Sequence, residues 1–360
     1  MSRRTPAKWL VAGFAILLTA TACFGGGGGD PGNDAKSTSS NSNASPPDQV
    51  DAHATAQPGL VLSTNSRTWA KLVDAHTGEG AVVLFVQPGG PSDGKGIARG
   101  DLLTAVDGKK VVNHEAGIAL LRSRPGQKRD LKFVQRDGTA RTVTIEAKNP
   151  RGAQLRSFLN PMVAASSNDP VLRFLRAQSA GGTYQQNLDD VNAALSTQPE
   201  FVEALTLKAS LEWDHRIADK KNALKLVNEA LAGWKSALDL DPNNTTALSV
   251  RSTAYTSLGR GQKGKEDADK VLSVDASYPR GYFALALADT QLRDPRAAVG
   301  PAAAAVKLNP YNYQYFTLLA STFKRVGRKA DCTKTADAMT PFLNANALQQ
   351  AAASLHQICA

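Results

Sequence analysis

The chain is poor in the residues that build reactive centres. It holds three cysteines in 360 residues, too few for a thiolate metal cluster. Its five histidines, His53, His76, His114, His215 and His356, are not paired at metal-ligand spacing, and no His-Glu-x-x-His occurs. No Gly-x-Ser-x-Gly elbow is present, which removes the commonest setting for a nucleophilic serine. The run Gly25–Gly29 leads to no Gly-Lys-Ser/Thr and follows no strand, so it is not a phosphate loop. Aromatics are only 6% of the chain, which disfavours an aromatic-lined cofactor pocket. Neither a catalytic site, a metal nor a cofactor is expected.

Long apolar runs are scarce as well. Trp9 to Ala20 is apolar but covers 12 residues, short of the about 20 that a spanning helix needs. With Arg3, Arg4 and Lys8 before it and small residues after it, this stretch has the layout of a secretory leader. The segment Ala20-Thr21-Ala22-Cys23 resembles a bacterial lipoprotein signal, departing from it by Ala20 where leucine is usual. The resemblance implies cleavage before Cys23, a palmitate-bearing diacylglycerol on the Cys23 thiol, and anchoring at the extracytoplasmic face of the cell membrane. The formal charge of +10 falls to +7 without the leader. Its densest patch, Arg122, Arg124, Lys128 and Arg129, has no interleaved aromatics, so nucleic acid is not an expected partner.

Residues 23–58 are rich in Gly, Ser, Asn and Pro and read as a disordered tether. Its end-to-end distance would be about 30–35 Å. Residues 59–148 read as a small β-rich domain. Val82–Val86 and Leu102–Val106 are strands, and Asp107-Gly108 turns the second toward Val111-Val112. Leu131–Val134 and Val143–Ile145 pair across Asp137-Gly138, and Glu115–Arg122 is a short helix on the sheet. The stretches Val86-Gln87-Pro88-Gly89-Gly90-Pro91-Ser92, Gly96-Ile97-Ala98-Arg99-Gly100-Asp101-Leu102-Leu103 and Val106-Asp107-Gly108-Lys109-Lys110-Val111 resemble a bacterial PDZ domain. This resemblance implies that a peptide adds as a strand to a sheet edge, its carboxylate held by backbone N–H groups. The matching residues would be Gly59, Leu60, Val61 and Leu62, with His114, Ile118 and Leu121 on the helix. Pro58 departs from the pattern because it has no N–H to donate. Internal peptides, or none, then compete with a free C-terminus.

Residues 149–167 read as a linker and 168–360 as helical repeats. Helix ends fall at Pro242, Ala276 and Pro310, a 34-residue period. An earlier end at Pro199 lies 43 residues before Pro242, implying nine inserted residues around 214–225. With Ala230, Trp234 and Ala237 repeated as Ala298, Ala302 and Ala305, the pattern resembles tetratricopeptide (TPR) repeats. Five units are expected, the first and last degenerate. The resemblance implies a concave groove showing Thr246, Ser249 and Thr253, then Arg280 and Phe283, then Gln314 and Lys324. Cys332 and Cys359 are candidates for a disulfide, with two separate buried thiols as the alternative.

The expected fold class is therefore multidomain: a β-rich α+β PDZ-like domain followed by an all-α TPR-type solenoid. The expected role is a non-catalytic adaptor with a protein or peptide partner. The alternatives are a self-association module with a degenerate PDZ site, or an accessory subunit of an envelope protease.

Overall fold

The computed structural model describes residues 59–360 apart from 77, 123–125, 148–154, 180 and 340–352. The leader, Cys23 and the tether lie outside the described residues, as does Arg124 of the basic patch.

The β-rich part runs β1 (Leu60–Thr64), α1 (Arg67–Leu72), β2 (Ala81–Val86), β3 (Leu102–Val106), β4 (Lys109–Lys110), α2 (His114–Leu121), β5 (Lys128–Val134) and β6 (Ala140–Glu146). The strands form one antiparallel sheet in the order β1-β2-β3-β5-β6, with β4 paired to β3. At the β3–β4 turn both Asp107 (φ 49°) and Gly108 (φ 74°) are left-handed, as a two-residue hairpin requires. The return strand is Lys109–Lys110 rather than Val111-Val112, because Val111 turns into the core beneath α2.

The strand β2 explains its own unbroken apolar sequence. Ala81 and Val83 face a core under α2 that includes Leu60, Leu103, Val111, Leu131 and Ile145. Val82 and Leu84 face the opposite way, into a core shared with the helices. A strand buried on both faces loses the alternation of a half-exposed one.

The second core joins the two halves. Residues 149–167, read from sequence as a linker, contain α3 (Leu155–Ala165), whose Leu155, Leu159 and Val163 are buried with Trp69, Val82 and Leu102. The apolar i, i+4, i+8 spacing of these three residues makes one helix stripe, and that stripe lies on the sheet. Next come α4 (Pro170–Gln178) and α5 (Tyr184–Thr197). Asp169 caps α4 by accepting from Val171 and Leu172 N–H, and Thr183 with Gln186 forms a capping box on α5.

The remaining helices pair as α6 (Val202–His215) with α7 (Ala223–Leu240), α8 (Thr245–Ser257) with α9 (Gly261–Val274), α10 (Pro279–Gln291) with α11 (Val299–Leu308), and α12 (Tyr313–Arg325) with α13 (Lys329–Met339). Residues 353–359 add a closing helix. With α4–α5 these make five stacked hairpins among the described residues. The nine inserted residues are divided: α7 has 18 residues against 14 in α9, and the loop 216–222 is longer than 258–260. The molecule is a PDZ-like sheet followed by a TPR-type helical solenoid, and the two share one hydrophobic core.

Candidate functional site

The slot between β1 and α2 is the candidate site. The strand stands at the sheet edge, with β2 as its one strand partner among the described residues. Gly59 opens it at φ 72°, and its carbonyl accepts from Gln87 N–H at 2.7 Å. A Cβ at 59 would stand 3.3 Å from Gln87 Cβ and 3.4 Å from Pro91 Cδ. Glycine thus supplies left-handed backbone where the 87–91 turn closes in.

Side chains alternate along β1. Leu60 and Leu62 pack toward α2, while Val61 and Ser63 turn toward α1, where Ser63 Oγ accepts from Trp69 Nε1 at 2.8 Å. Asn113 caps α2 through Oδ1, which accepts from Ala116 N–H at 2.9 Å. Gly117 brings the helix close to the strand, since a Cβ there would meet Val111 at 3.2 Å and Leu62 at 3.4 Å. Leu62 is half-buried against the helix, and Ile118, also half-buried, stands one turn beyond His114 on α2. Leu121, expected to line the peptide pocket, is instead a buried core side chain, and the side chains of Leu60 and Val61 on the strand are buried too. Their side chains support the slot without being presented in it.

One end of the slot meets the solenoid. His114 Nδ1 hydrogen-bonds with Thr64 Oγ1 at 2.6 Å, and its ring centre lies 5.9 Å from that of Tyr278. Burial, with the charge of Arg280, pushes His114 down to about 3, so the ring is neutral at ordinary pH. Asn113 Nδ2 donates to Asp275 Oδ2 at 2.8 Å and to Ser277 Oγ at 3.2 Å. Glu115 pairs with Arg280 at 3.4 Å and accepts from Tyr315 Oη at 3.1 Å. Burial raises the Glu115 carboxyl, against the lowering pull of Arg280. On the strand side, Ser66 Oγ donates to Glu203 Oε1 at 2.6 Å, and Trp69 packs edge-on against Phe174 and Phe201 at 5.5 and 5.1 Å.

These contacts change the expected solenoid groove. Arg280 faces α2 of the sheet domain rather than an open groove. Phe283 is core, buried with Ala286, Ala302 and Tyr315. Ser249 and Thr253 are buried too, their hydroxyls donated to the Thr246 and Ser249 carbonyls. Gln314 is half-buried near the start of α12, and Lys324 is exposed at its end. Sequence reasoning missed Asn113, Glu115, Ser66, Glu203, Tyr278 and Tyr315. Asn113 was legible as a helix cap; its second partner was not.

Arg122 and Arg129 of the basic patch are engaged within the molecule. Arg129 pairs with Asp107 and donates to the Arg122 carbonyl at 2.7 Å, while the Arg122 guanidinium sits 4.6 Å over the Tyr311 ring. Cys332 and Cys359 are joined by a disulfide that fastens the closing helix to α13. Among the described residues there is no group of three or more His, Cys, Asp or Glu that could hold a metal, and no helix is long and apolar enough to cross a membrane.

Residues 59–147 match the PDZ domain family. The chain thus combines a domain that matches the PDZ family with a TPR-type helical array. Curated relatives match in parts. They include the tetratricopeptide repeat and J domain-containing co-chaperone DNJ1 of Fusarium oxysporum, 42% identical over 16% of this chain and 11% of that protein. Hsp70-Hsp90 organizing protein 3 of Arabidopsis thaliana is 37% identical over 15% and 10%. DnaJ homolog subfamily C member 7 of Mus musculus is 28% identical over 33% and 24%. The chain spans between about a tenth and a quarter of the length of the curated relatives it matches. Similar solved structures include a thermophilic TPR protein of Thermus thermophilus, 18% identical over 56% of this chain and 99% of that one, TM-score 0.42. The HtrA-type protease AlgW with a decapeptide is 20% identical over 28% and 31%, TM-score 0.26. The helical architecture is defined here by the stacked helix pairs themselves.

Proposed function

We propose that this protein is a non-catalytic adaptor of the bacterial cell envelope, lipid-anchored through Cys23, that captures a peptide segment of another protein in the β1–α2 slot. One observation carries the reading: β1 is a sheet-edge strand beside a helix, with the half-buried Leu62 packed between them. An edge strand offers backbone hydrogen bonds, and an apolar floor offers a place for one side chain. The PDZ match at 59–147 supports the same reading. The helical array then holds the sheet domain in a fixed pose rather than acting as a second, independent grip.

Peptide arrays titrated against residues 24–360 test it. Binding is expected for tails with an apolar last residue, and Ile118→Asp should weaken it at least tenfold with the far-ultraviolet spectrum unchanged. Failure of every peptide at high micromolar concentration favours the self-association alternative. The anchor is tested separately: labelled palmitate should enter the wild type, and Cys23→Ala should leave the protein unlabelled and soluble.

A further inference from the structure

We infer that the edge of the solenoid formed by the turns inside its helix pairs is a docking face for an anionic phospholipid bilayer. The inference goes beyond the peptide-site reading and depends neither on the slot nor on acylation of Cys23.

The array has two edges, and the chain charges them oppositely. The sheet domain sits at the starts of α6, α10 and α12, through Glu203, Arg280 and Tyr315. Helices α6, α8, α10 and α12 pack one on the next. Their far ends, about 20 Å away along the helix axes, make the second edge. Gln291 at the end of α10 donates to the Gly259 carbonyl in the α8–α9 turn at 3.1 Å, which ties neighbouring turns of that edge together. At all four of these turns cations outnumber carboxylates. Residues 216–225 of the α6–α7 turn hold Lys220, Lys221 and Lys225 against Asp219, and 258–263 of the α8–α9 turn hold Arg260 and Lys263 against none. Residues 292–298 hold Arg293 and Arg296 against Asp294, and 324–331 hold Lys324, Arg325, Arg328 and Lys329 against Asp331. The turns on the sheet side, 198–201, 241–244, 275–278 and 309–312, hold Glu200, Asp241 and Asp275 and no lysine or arginine.

Charge alone describes a solvated face; the second observation is apolar. Among the described residues five large apolar side chains are exposed, and Ile217, Leu224 and Leu292 of these stand on the basic edge. Leu224 is 75% exposed and Ile217 50%, and they flank Lys220 and Lys221 in the chain. The other two, Leu240 and Val274, precede Asp241 and Asp275 on the sheet side. A bilayer uses both features of the basic edge. Anionic headgroups attract the cations, and the headgroup boundary takes apolar side chains while their lysine neighbours stay in the polar layer. A soluble acidic chain would use the cations and leave Leu224 in water. Docked by this edge, the array carries the sheet domain on its opposite side, about 20 Å from the lipid, so lipid contact does not compete with the slot.

The test uses residues 24–360, which keep every described element and omit Cys23, so that no acyl chain contributes. Binding to phosphatidylcholine vesicles, with and without about 30% phosphatidylglycerol, is measured by co-sedimentation. Binding is expected to be at least about tenfold stronger on the anionic vesicles. Lys220→Glu with Lys221→Glu should weaken it at least about fivefold, and Ile217→Ser with Leu224→Ser at least about threefold. Lys95→Glu with Lys132→Glu, the same charge change at exposed residues of the sheet domain, should alter it less than about twofold. A polarity-sensitive dye attached at Leu224→Cys should shift to the blue on anionic vesicles and not on neutral ones. Equal binding to both vesicle types, binding to neither, or equal weakening by the control pair overturns the inference. Binding to soluble polyglutamate as tight as to anionic vesicles, and untouched by the Ile217 and Leu224 pair, assigns the edge to an acidic chain and overturns the lipid assignment. None of these results bears on the peptide titration of the slot, so the two readings fail separately.

Discussion

At the residue scale, two side chains show how narrowly the packing is set. Gly264, Ala298 and Cys332 occupy the same place 34 residues apart, where the second helix of each pair crosses the first. Facing them are Ser252, Ala286 and Ala320, again 34 apart. Only the pair with serine on one helix has glycine on the other. The Ser252 hydroxyl donates to the Gly264 carbonyl at 2.6 Å, and a Cβ on residue 264 would stand 2.3 Å from Thr256 Oγ1 and 2.9 Å from the Ser252 carbonyl oxygen. Gly264→Ala gains about 1 kcal/mol of helix propensity but incurs an overpacking cost of about 1–3 kcal/mol. The backbone oxygen cannot rotate away, so the crowding wins. The variant should show a lower urea midpoint at unchanged slope.

Glu203 makes the second residue-scale prediction. Burial pushes its carboxyl up to about 7, with the Ser66 hydroxyl bond opposing that rise. Its Oε2 is buried without a hydrogen-bond partner. A carboxyl raised in the folded state binds its proton more tightly there than in the unfolded chain. Its contribution is therefore fully present below the ordinary carboxylate range and is lost as pH rises to about 7. Glu203→Gln should remove that slope. The variant should match the wild type near pH 4.5 and exceed it by about 1–3 kcal/mol near pH 8, measured by denaturant titration at both values.

At the element scale, the end of the solenoid depends on a staple. The last core contains Phe316, Ala320, Cys332, Ala336, Met339, Leu355 and Cys359. The disulfide closes a loop with a sequence separation of 27 residues, for which chain entropy suggests about 3.5 kcal/mol of stabilisation. Reduction, or Cys359→Ala, should release the closing helix and lower amide protection in α12 and α13. Protection in β2 and α4 should change little, because those elements belong to a different core. Equal loss of protection everywhere would show that the staple holds more than its own end. The same logic explains the position of the bridge. Among the described residues, the bridged helix covers α12 and α13 at the face where a following repeat would stack.

At the scale of the whole molecule, the shared core decides cooperativity. Trp69, Val82, Leu84 and Leu102 of the sheet domain are buried with Leu159, Phe174, Val191 and Phe201 of the helices. An isolated 59–147 segment would expose that entire face. It should bind a hydrophobic dye and unfold at lower denaturant than the intact chain. The chain 59–360 should show one transition, coincident by tryptophan fluorescence and far-ultraviolet dichroism. Two separated transitions would mean that the interface contributes little. At this interface Arg280→Ala should cost about 3–5 kcal/mol, since it leaves the buried Glu115 without its cation.

Much of this was legible in the chain. The 34-residue period, the alanines at the crossings and the helix-ending prolines fixed the solenoid, because close helix approach needs small side chains at a regular spacing. The Asp107-Gly108 turn and the apolar run of β2 fixed the hairpin and a buried strand. The edge strand and its facing helix could be found from the PDZ motifs. The sequence could not say what covered the second face of β2, because an apolar run states that a strand is buried and not against what. Nor could it say that Asn113, already satisfied as a helix cap, has a second bond to Asp275, or that Arg280 faces a carboxylate of the same chain. Local spacing determined each module, since helices and hairpins are specified by neighbours along the chain. Only the tertiary fold decided that the two modules share one core and are tied together by Ser66–Glu203, Asn113–Asp275 and Glu115–Arg280, since that depends on pairs more than a hundred residues apart.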